Sequence, residues 1–297
     1  MSDKIAVGVI GLGIMGGAIS ANLVKRGFAV KGYDVAPPAL ARLKANGGNA
    51  VASPAEAASG VALLLTSLPS VKTLEATVKA LLKRPIKGLV VCELSTFPIA
   101  DKEKARKALT KGGITLLDCP LSGTGSQAET GDLVVYASGD QAGFERAAAV
   151  FPGFSRANFY LGAFGNGSKM KYVANLLVAI HNVATAEAMV LGMKAGLDAN
   201  DIVKVISTGA GNSRVFELRA PLMARNSYRP ATMKNEVWGK DLKIITEFAK
   251  ELKVDTPLFG RLAALHREVM KAGLGEDDTA AICAVIEKKS KLKRKKA

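Results

Sequence analysis

An apolar run, Ile5–Ile10, passes directly into Gly11-Leu12-Gly13-Ile14-Met15-Gly16, and a helical pattern over Met15–Arg26 follows without a break. Each glycine in this junction has its own reason. Gly11 permits the tight turn, Gly13 lets backbone approach a pyrophosphate, and Gly16 lets the helix pack against the strand. The exposed amides at the helix start then favour an anion. A G-x-G-x-x-G alone is weak. Here a second strand, Ala29–Tyr33, ends in Asp34, 18 residues past Gly16. A bare glycine turn leaves that acid unexplained; a dinucleotide-binding βαβ unit accounts for it. A carboxylate at this point accepts hydrogen bonds from an adenosine ribose and repels a 2′-phosphate. Val35-Ala36-Pro37-Pro38 brings no Arg to hold such a phosphate. The expected cofactor is NAD rather than NADP, with Gly11, Leu12, Gly13, Ile14, Met15, Gly16 and Asp34 as contacts.

Further strand-like runs at Val61–Leu65, Leu89–Cys92, Ile114–Asp118 and Leu133–Ala137 alternate with helical segments near 37–46, 70–82, 98–111 and 141–150. Such alternation predicts a doubly wound, mostly parallel α/β sheet of Rossmann type. Leu133–Ala137 is the exception, reading as a hairpin or antiparallel addition reached by a helix-free loop. Ligands bind at the carboxyl ends of the strands in these sheets. Leu68, Pro69, Ser95 and Thr96 follow strands and are therefore expected near the cofactor, with Ser70 read partly as a helix cap.

Beyond Gly162 the pattern changes. From Gly167 to Gly196 no proline or turn cluster occurs, which predicts one helix about 45 Å long. Helical patterns continue over 199–207, 213–224, 235–252, 257–272 and 277–289. The expected organisation is a nucleotide-binding domain over 1–164, an all-helical domain over 165–289 opening with the long helix 167–196, and a disordered basic tail over 290–297.

The net charge is +15, and residues 287–297 hold seven Lys or Arg against Glu287. Such a run is ordinarily solvated, so nucleic acid is not expected as a partner. A dinucleotide-binding scaffold with a nucleic-acid-binding tail is one alternative reading. Cys92, Cys119 and Cys283 have no metal-like spacing and read as buried free thiols, so no metal is expected. The apolar runs are short compared with the roughly 18 residues of a membrane span. The start of the chain leads straight into a strand, and a soluble, cytoplasmic protein is expected.

Two stretches carry the remaining chemistry. Asp118-Cys119-Pro120-Leu121-Ser122-Gly123-Thr124-Gly125 begins where a strand ends, and a Ser-Gly pair there can hold a carboxylate through a hydroxyl and consecutive amides. Gly165-Asn166-Gly167-Ser168-Lys169-Met170-Lys171-Tyr172-Val173-Ala174-Asn175 opens the long helix. Lys171 and Asn175 are four apart and share one face, with Asn182 two turns further on. Polar groups on a mostly apolar face need a reason to be there; a snorkelling Lys beside a satisfied Asn is the structural one. Lys169 lies on another face, and His181 reads as a packed structural histidine. No Ser-His-Asp or Cys-His pairing is assignable.

These motifs, together with Lys240-Asp241-Leu242, resemble the β-hydroxyacid dehydrogenase family, in its 3-hydroxyisobutyrate dehydrogenase-like branch. The resemblance covers nearly the whole chain up to about residue 285. It implies an NAD-dependent oxidoreductase moving a hydride between nicotinamide and a small β-hydroxy acid, or its semialdehyde or keto acid. It further implies that Lys171 is the acid/base and that Asn175 helps to place the substrate. Ser122, Gly123 and Thr124 would line the carboxylate pocket, while Lys240 and Asp241 would close the site over the cofactor. A free lysine titrates near about 10.4, so a basic Lys171 needs a lowered pKa. Thr124 and Ala174 depart from the common Pro-Val-Ser-Gly-Gly and Asn-Asn patterns and bear on the choice of substrate. An NADPH-dependent glyoxylate or succinic semialdehyde reductase and an imine reductase are the alternatives on the same architecture. A homodimer or homotetramer is expected.

Overall fold

The computed structural model describes residues 4–294. Six strands form one sheet: β1 (Ala6–Ile10), β2 (Ala29–Tyr33), β3 (Asn49–Ala50), β4 (Leu63–Thr66), β5 (Val90–Glu93) and β6 (Thr115–Asp118). Their order is β3-β2-β1-β4-β5-β6, with every neighbouring pair parallel. Helices α1 (Ile14–Lys25), α2 (Pro37–Ala45), α3 (Pro54–Ala58), α4 (Val71–Leu82) and α5 (Ile99–Lys111) make the crossovers. This is the doubly wound order, and its direction reverses at β1, where a ligand crevice opens beyond the strand ends.

Burial on both faces explains why the strands read as unbroken apolar runs. Val7, Val9, Leu63, Leu65, Val90, Cys92 and Leu117 enter one buried cluster. Ile10, Leu64, Val91 and Leu116 alternate with them into the other.

A second, three-stranded sheet follows: β7 (Leu121–Ser122), β8 (Val134–Ala137) and β9 (Ala157–Tyr160). Strand β8 is antiparallel to β7, as the sequence suggests, but parallel to β9. The loop before it is not helix-free: α6 (Gly125–Thr130) fills it, and Asn22 Nδ2 of α1 donates to its Ala128 carbonyl at 2.6 Å. A two-residue strand and a six-residue helix are too short for periodicity to register. Helix α7 (Gln141–Ala148) connects β8 to β9.

The long helix is α8 (Asn166–Lys194). The chain forms two compact units that divide between Lys171 and Tyr172, inside this helix. The reason is local. The Gly167 amide donates to Ser138 Oγ at 2.9 Å and the Ser168 amide to Asp118 Oδ2 at 2.7 Å, so the first turns belong to the sheet unit.

Contrary to the reading that no stretch suits a membrane, α8 is long and apolar enough to cross one, with mean hydropathy 1.6. Its buried face nevertheless carries Asn175, Asn182 and Thr185. Asn182 Nδ2 donates to the Thr279 carbonyl at 2.9 Å, as in the core helix of a folded domain.

In the second unit, α8 from Tyr172 onward is joined by α9 (Ala199–Ile206), α10 (Arg214–Arg225), α11 (Asn235–Glu251), α12 (Pro257–Lys271) and α13 (Ile282–Lys289). Part of the supposed disordered tail is anchored here. Arg294 donates to the carbonyls of Ala224 and Met223 at 2.7 and 2.6 Å, and Lys194 Nζ to that of Ser290 at 2.8 Å. The orphan carbonyls ending α10 supply the acceptors, which a charge-run reading of 290–297 could not foresee. Lys295–Ala297 lie outside the described residues.

Candidate active site

All the strands of a parallel sheet end at one edge, and here that edge is stitched loop to loop. The Gly11 amide donates to the Tyr33 carbonyl, Ser67 to Ile10, Leu94 to Thr66 and Cys119 to Glu93, each at 2.9 Å. Gly11 adopts φ +88°, and a Cβ there would lie 2.0 Å from the Ser67 carbonyl oxygen. At Gly16 a Cβ would lie 1.9 Å from the Gly11 oxygen, so only glycine allows α1 this close to the turn. Gly13 differs. It is exposed, and a Cβ there would meet nothing within 4 Å. No side chain caps α1 at this point. An open backbone face before an uncapped helix start fits a dinucleotide pyrophosphate.

Asp34 stands at the end of β2, and both its oxygens accept backbone amides: Oδ2 from Leu12 at 2.6 Å and Oδ1 from Ala36 at 2.8 Å. The acid thus holds the glycine turn in register as well as presenting a carboxylate beside it. Leu68 and Ser95 are brought together, because the Leu68 amide donates to Ser95 Oγ at 2.8 Å. Pro69 is exposed and Thr96 half-buried on the same two loops. Ser70 caps α4 through the Thr73 amide at 3.2 Å.

Beneath this edge lies a cluster that the motif reading misses. Lys102 of α5 is fully buried and holds Glu93 Oε2 at 2.6 Å, Asp118 Oδ1 at 2.7 Å and the Ser95 carbonyl at 2.7 Å. Burial pushes its pKa down, but Asp118 and Glu93 outweigh that, and the amine holds its proton more tightly than an ordinary lysine. Glu93 Oε1 accepts the Ser95 amide at 2.9 Å. Asp118 accepts the Ser168 hydroxyl at 2.8 Å and the Ser168 amide at 2.7 Å. A carboxylate therefore caps α8, where charge and dipole agree. The signal was present in the sequence: Lys102 occupies the apolar stripe that includes Ala105 and Leu109.

Helix α8 accordingly starts at the carboxyl end of β6. At Gly167 a Cβ would lie 2.3 Å from the Tyr136 carbonyl oxygen and 2.7 Å from that of Asp118, which explains the Gly165-x-Gly167 pattern. Lys171, one turn beyond Ser168, is half-buried, while Lys169 is exposed. Ser122 lies in β7 paired with Val134, and Gly123 follows it. Thr124 is the N-cap of α6, its amide donating to Gln127 Oε1 at 3.1 Å, so it has a structural duty of its own.

In the second unit Asn175 and Asp241 meet, Asn175 Nδ2 donating to Asp241 Oδ2 at 2.9 Å. Lys240 Nζ lies 3.7 Å from Asp241 Oδ1. His181 is half-buried on α8, and His266 Nε2 is 2.9 Å from the Asn235 carbonyl.

Comparisons with known proteins agree with this geometry. Residues 6–162 match the profile of the NAD-binding domain of 6-phosphogluconate dehydrogenase, and residues 165–286 that of the NAD-binding region of NADP-dependent 3-hydroxyisobutyrate dehydrogenase. L-threonate dehydrogenase of Cupriavidus necator is 34% identical over 286 residues, 93% of this chain and 94% of that one. Glyoxylate/succinic semialdehyde reductase 1 of Arabidopsis thaliana is 30% identical over 95% of this chain and 98% of its own. The crystal structure of 3-hydroxyisobutyrate dehydrogenase from Salmonella typhimurium superposes with a TM-score of 0.87 at 29% identity, covering 95% of this chain and all of that one.

The glycine turn gives a paired prediction. Gly16→Ala should lose about 1–3 kcal/mol of stability through overpacking. Gly13→Ala should melt like the wild type yet bind NAD at least ~10-fold more weakly, a loss of about 1.4 kcal/mol. Calorimetric melts and NAD titration check both.

Proposed function

Because the chain belongs to the 3-hydroxyisobutyrate dehydrogenase family of NAD(P)-dependent hydroxyacid dehydrogenases, we propose that it interconverts a small β-hydroxy acid and its semialdehyde or keto acid with Lys171 as general acid/base. The observation that carries this reading is the placement of Lys171 one turn into α8, on a helix whose start is fastened to the end of β6. Gly11–Gly16, Asp34, Leu68, Ser95 and Thr96 would hold NAD, which would supply the hydride acceptor when bound. The work of the chain is to bind, orient and move one proton. In oxidation the neutral Lys171 amine takes the proton from the substrate hydroxyl; in reduction its ammonium returns a proton to the carbonyl oxygen. The Ser122 hydroxyl and Gly123 amide hold the carboxylate. Asn175, its carboxamide fixed by Asp241, is assigned to the substrate hydroxyl, and Lys240 to the cofactor.

The substrate class follows from the relatives, whose names join hydroxy and oxo acids of a few carbons. The reduction of glyoxylate or succinic semialdehyde named for the Arabidopsis relative is the second reading. Asp34, at the end of β2 and bonded to the Leu12 and Ala36 amides, favours NAD over NADPH and with it the dehydrogenase reading. A homo-oligomer is the expected assembly, since Val173, Leu177 and Leu191 of α8 stay exposed in the single chain.

NAD reduction in the presence of threonate, glycerate, 3-hydroxyisobutyrate, 3-hydroxypropionate or serine tests the proposal. On the best of these, Lys171→Ala should lower kcat by at least ~100-fold with little change in NAD affinity. The wild-type oxidation rate should climb with pH as Lys171 loses its proton, and that rising limb should vanish in the variant. Full turnover in Lys171→Ala would exclude the assignment. Asp34→Asn should shift the ratio of kcat/KM for NADP over NAD upward by about 10-fold, worth about 1.4 kcal/mol; an unmoved ratio would mean that another residue selects the cofactor.

A further inference from the structure

A fully buried cation between two buried carboxylates is a poor way to gain stability. Desolvating three charges is costly, and apolar side chains of equal volume often do as well or better. The Lys102 cluster must be read through what it joins. Lys102 Nζ binds the carbonyl of Ser95, whose hydroxyl accepts the Leu68 amide, so two loops on the cofactor edge depend on it. The same nitrogen binds Asp118, whose carboxylate accepts both the amide and the hydroxyl of Ser168 in the first turn of α8. Lys171 follows three residues later, about 4.5 Å along the helix axis. One ammonium thus links the Ser95–Thr96 loop to the helix that carries the amine.

We infer that Lys102 is a positioning residue, which through Ser95 and Asp118 sets the separation between the Ser95–Thr96 loop and Lys171. The inference rests on the proposed role of Lys171. It requires that loosening the cluster misplaces the proton acceptor without removing it. A misplacement of about 1 Å can cost about 100-fold in rate.

Lys102→Met alone strands two buried carboxylates and is expected to fold poorly. The paired variant Lys102→Met/Glu93→Gln keeps the net charge of the cluster. Ser168→Ala keeps all three charges and cuts only the hydroxyl bond to α8. In both, the shape of the pH–rate profile should match the wild type, and in Ser168→Ala so should NAD affinity, while kcat at saturating substrate falls, by at least ~10-fold in the paired variant and several-fold in Ser168→Ala. Added primary amines should not rescue them. Wild-type kcat in a folded paired variant would overturn the inference, as would a loss confined to cofactor affinity. Should the paired variant not fold, unchanged kcat in Ser168→Ala overturns it alone. Lys171→Ala, assayed alongside, separates the two proposals: turnover retained there removes the acid/base role, whereas an inactive Lys171→Ala with wild-type Lys102 and Ser168 variants removes only the positioning role.

Discussion

The carboxylate of Asp118 is the constraint on which the rest of the sheet unit turns. It sits at the last residue of β6 with no exposed surface. Its backbone pairs with Ser138, beginning the step from the first sheet to the second. Its side chain takes the ammonium of Lys102 and both the amide and the hydroxyl of Ser168 in the first turn of α8. Three elements far apart in sequence therefore share one anion. An unpaired charge at that depth would be very costly, so every partner is held in place by the need to satisfy it.

The glycine turn works in the opposite sense. Where Asp118 gathers groups inward, Gly11 and Gly16 clear space so that backbone can meet backbone, and Gly13 leaves its face open. Asp34 links the two strategies, since it buttresses the turn with both oxygens while standing at the edge that a ribose would reach. The turn is thereby held by main chain packed against main chain, with little side-chain bulk. Helix α8 begins at that edge and continues into the helical unit, which is why the proposed acid/base is sought on it.

Much of this was legible in the sequence. The strand–glycine–helix–strand–acid series names the β1–α1–β2 unit, and the steric reasons for Gly11 and Gly16 are borne out by the 2.0 and 1.9 Å approaches that a Cβ would make there. The long helix was equally plain from its unbroken pattern. What could not be read was short or distant. Strands β3 and β7 and helix α6 span two to six residues, below the reach of periodicity. The anchoring of Arg294 depends on carbonyls some 70 residues away. The Lys102 cluster was half legible: a lysine in an apolar stripe signals a buried partner, but Glu93, Asp118 and Ser168 become partners only through strand order. Thr124, read as a pocket residue, also caps a helix that the pattern did not reveal.

In the proposed reaction a hydride leaves a carbinol carbon of a hydroxy acid for the cofactor while the hydroxyl proton goes to the protein. Turnover of a hydroxy-acid substrate deuterated at its carbinol carbons tests this most directly, with the reduced dinucleotide analysed by mass spectrometry. NADH should carry one deuterium, and turnover should be slower than with the unlabelled acid. Reduced cofactor free of deuterium, with the label retained in the product or lost to water, would contradict it.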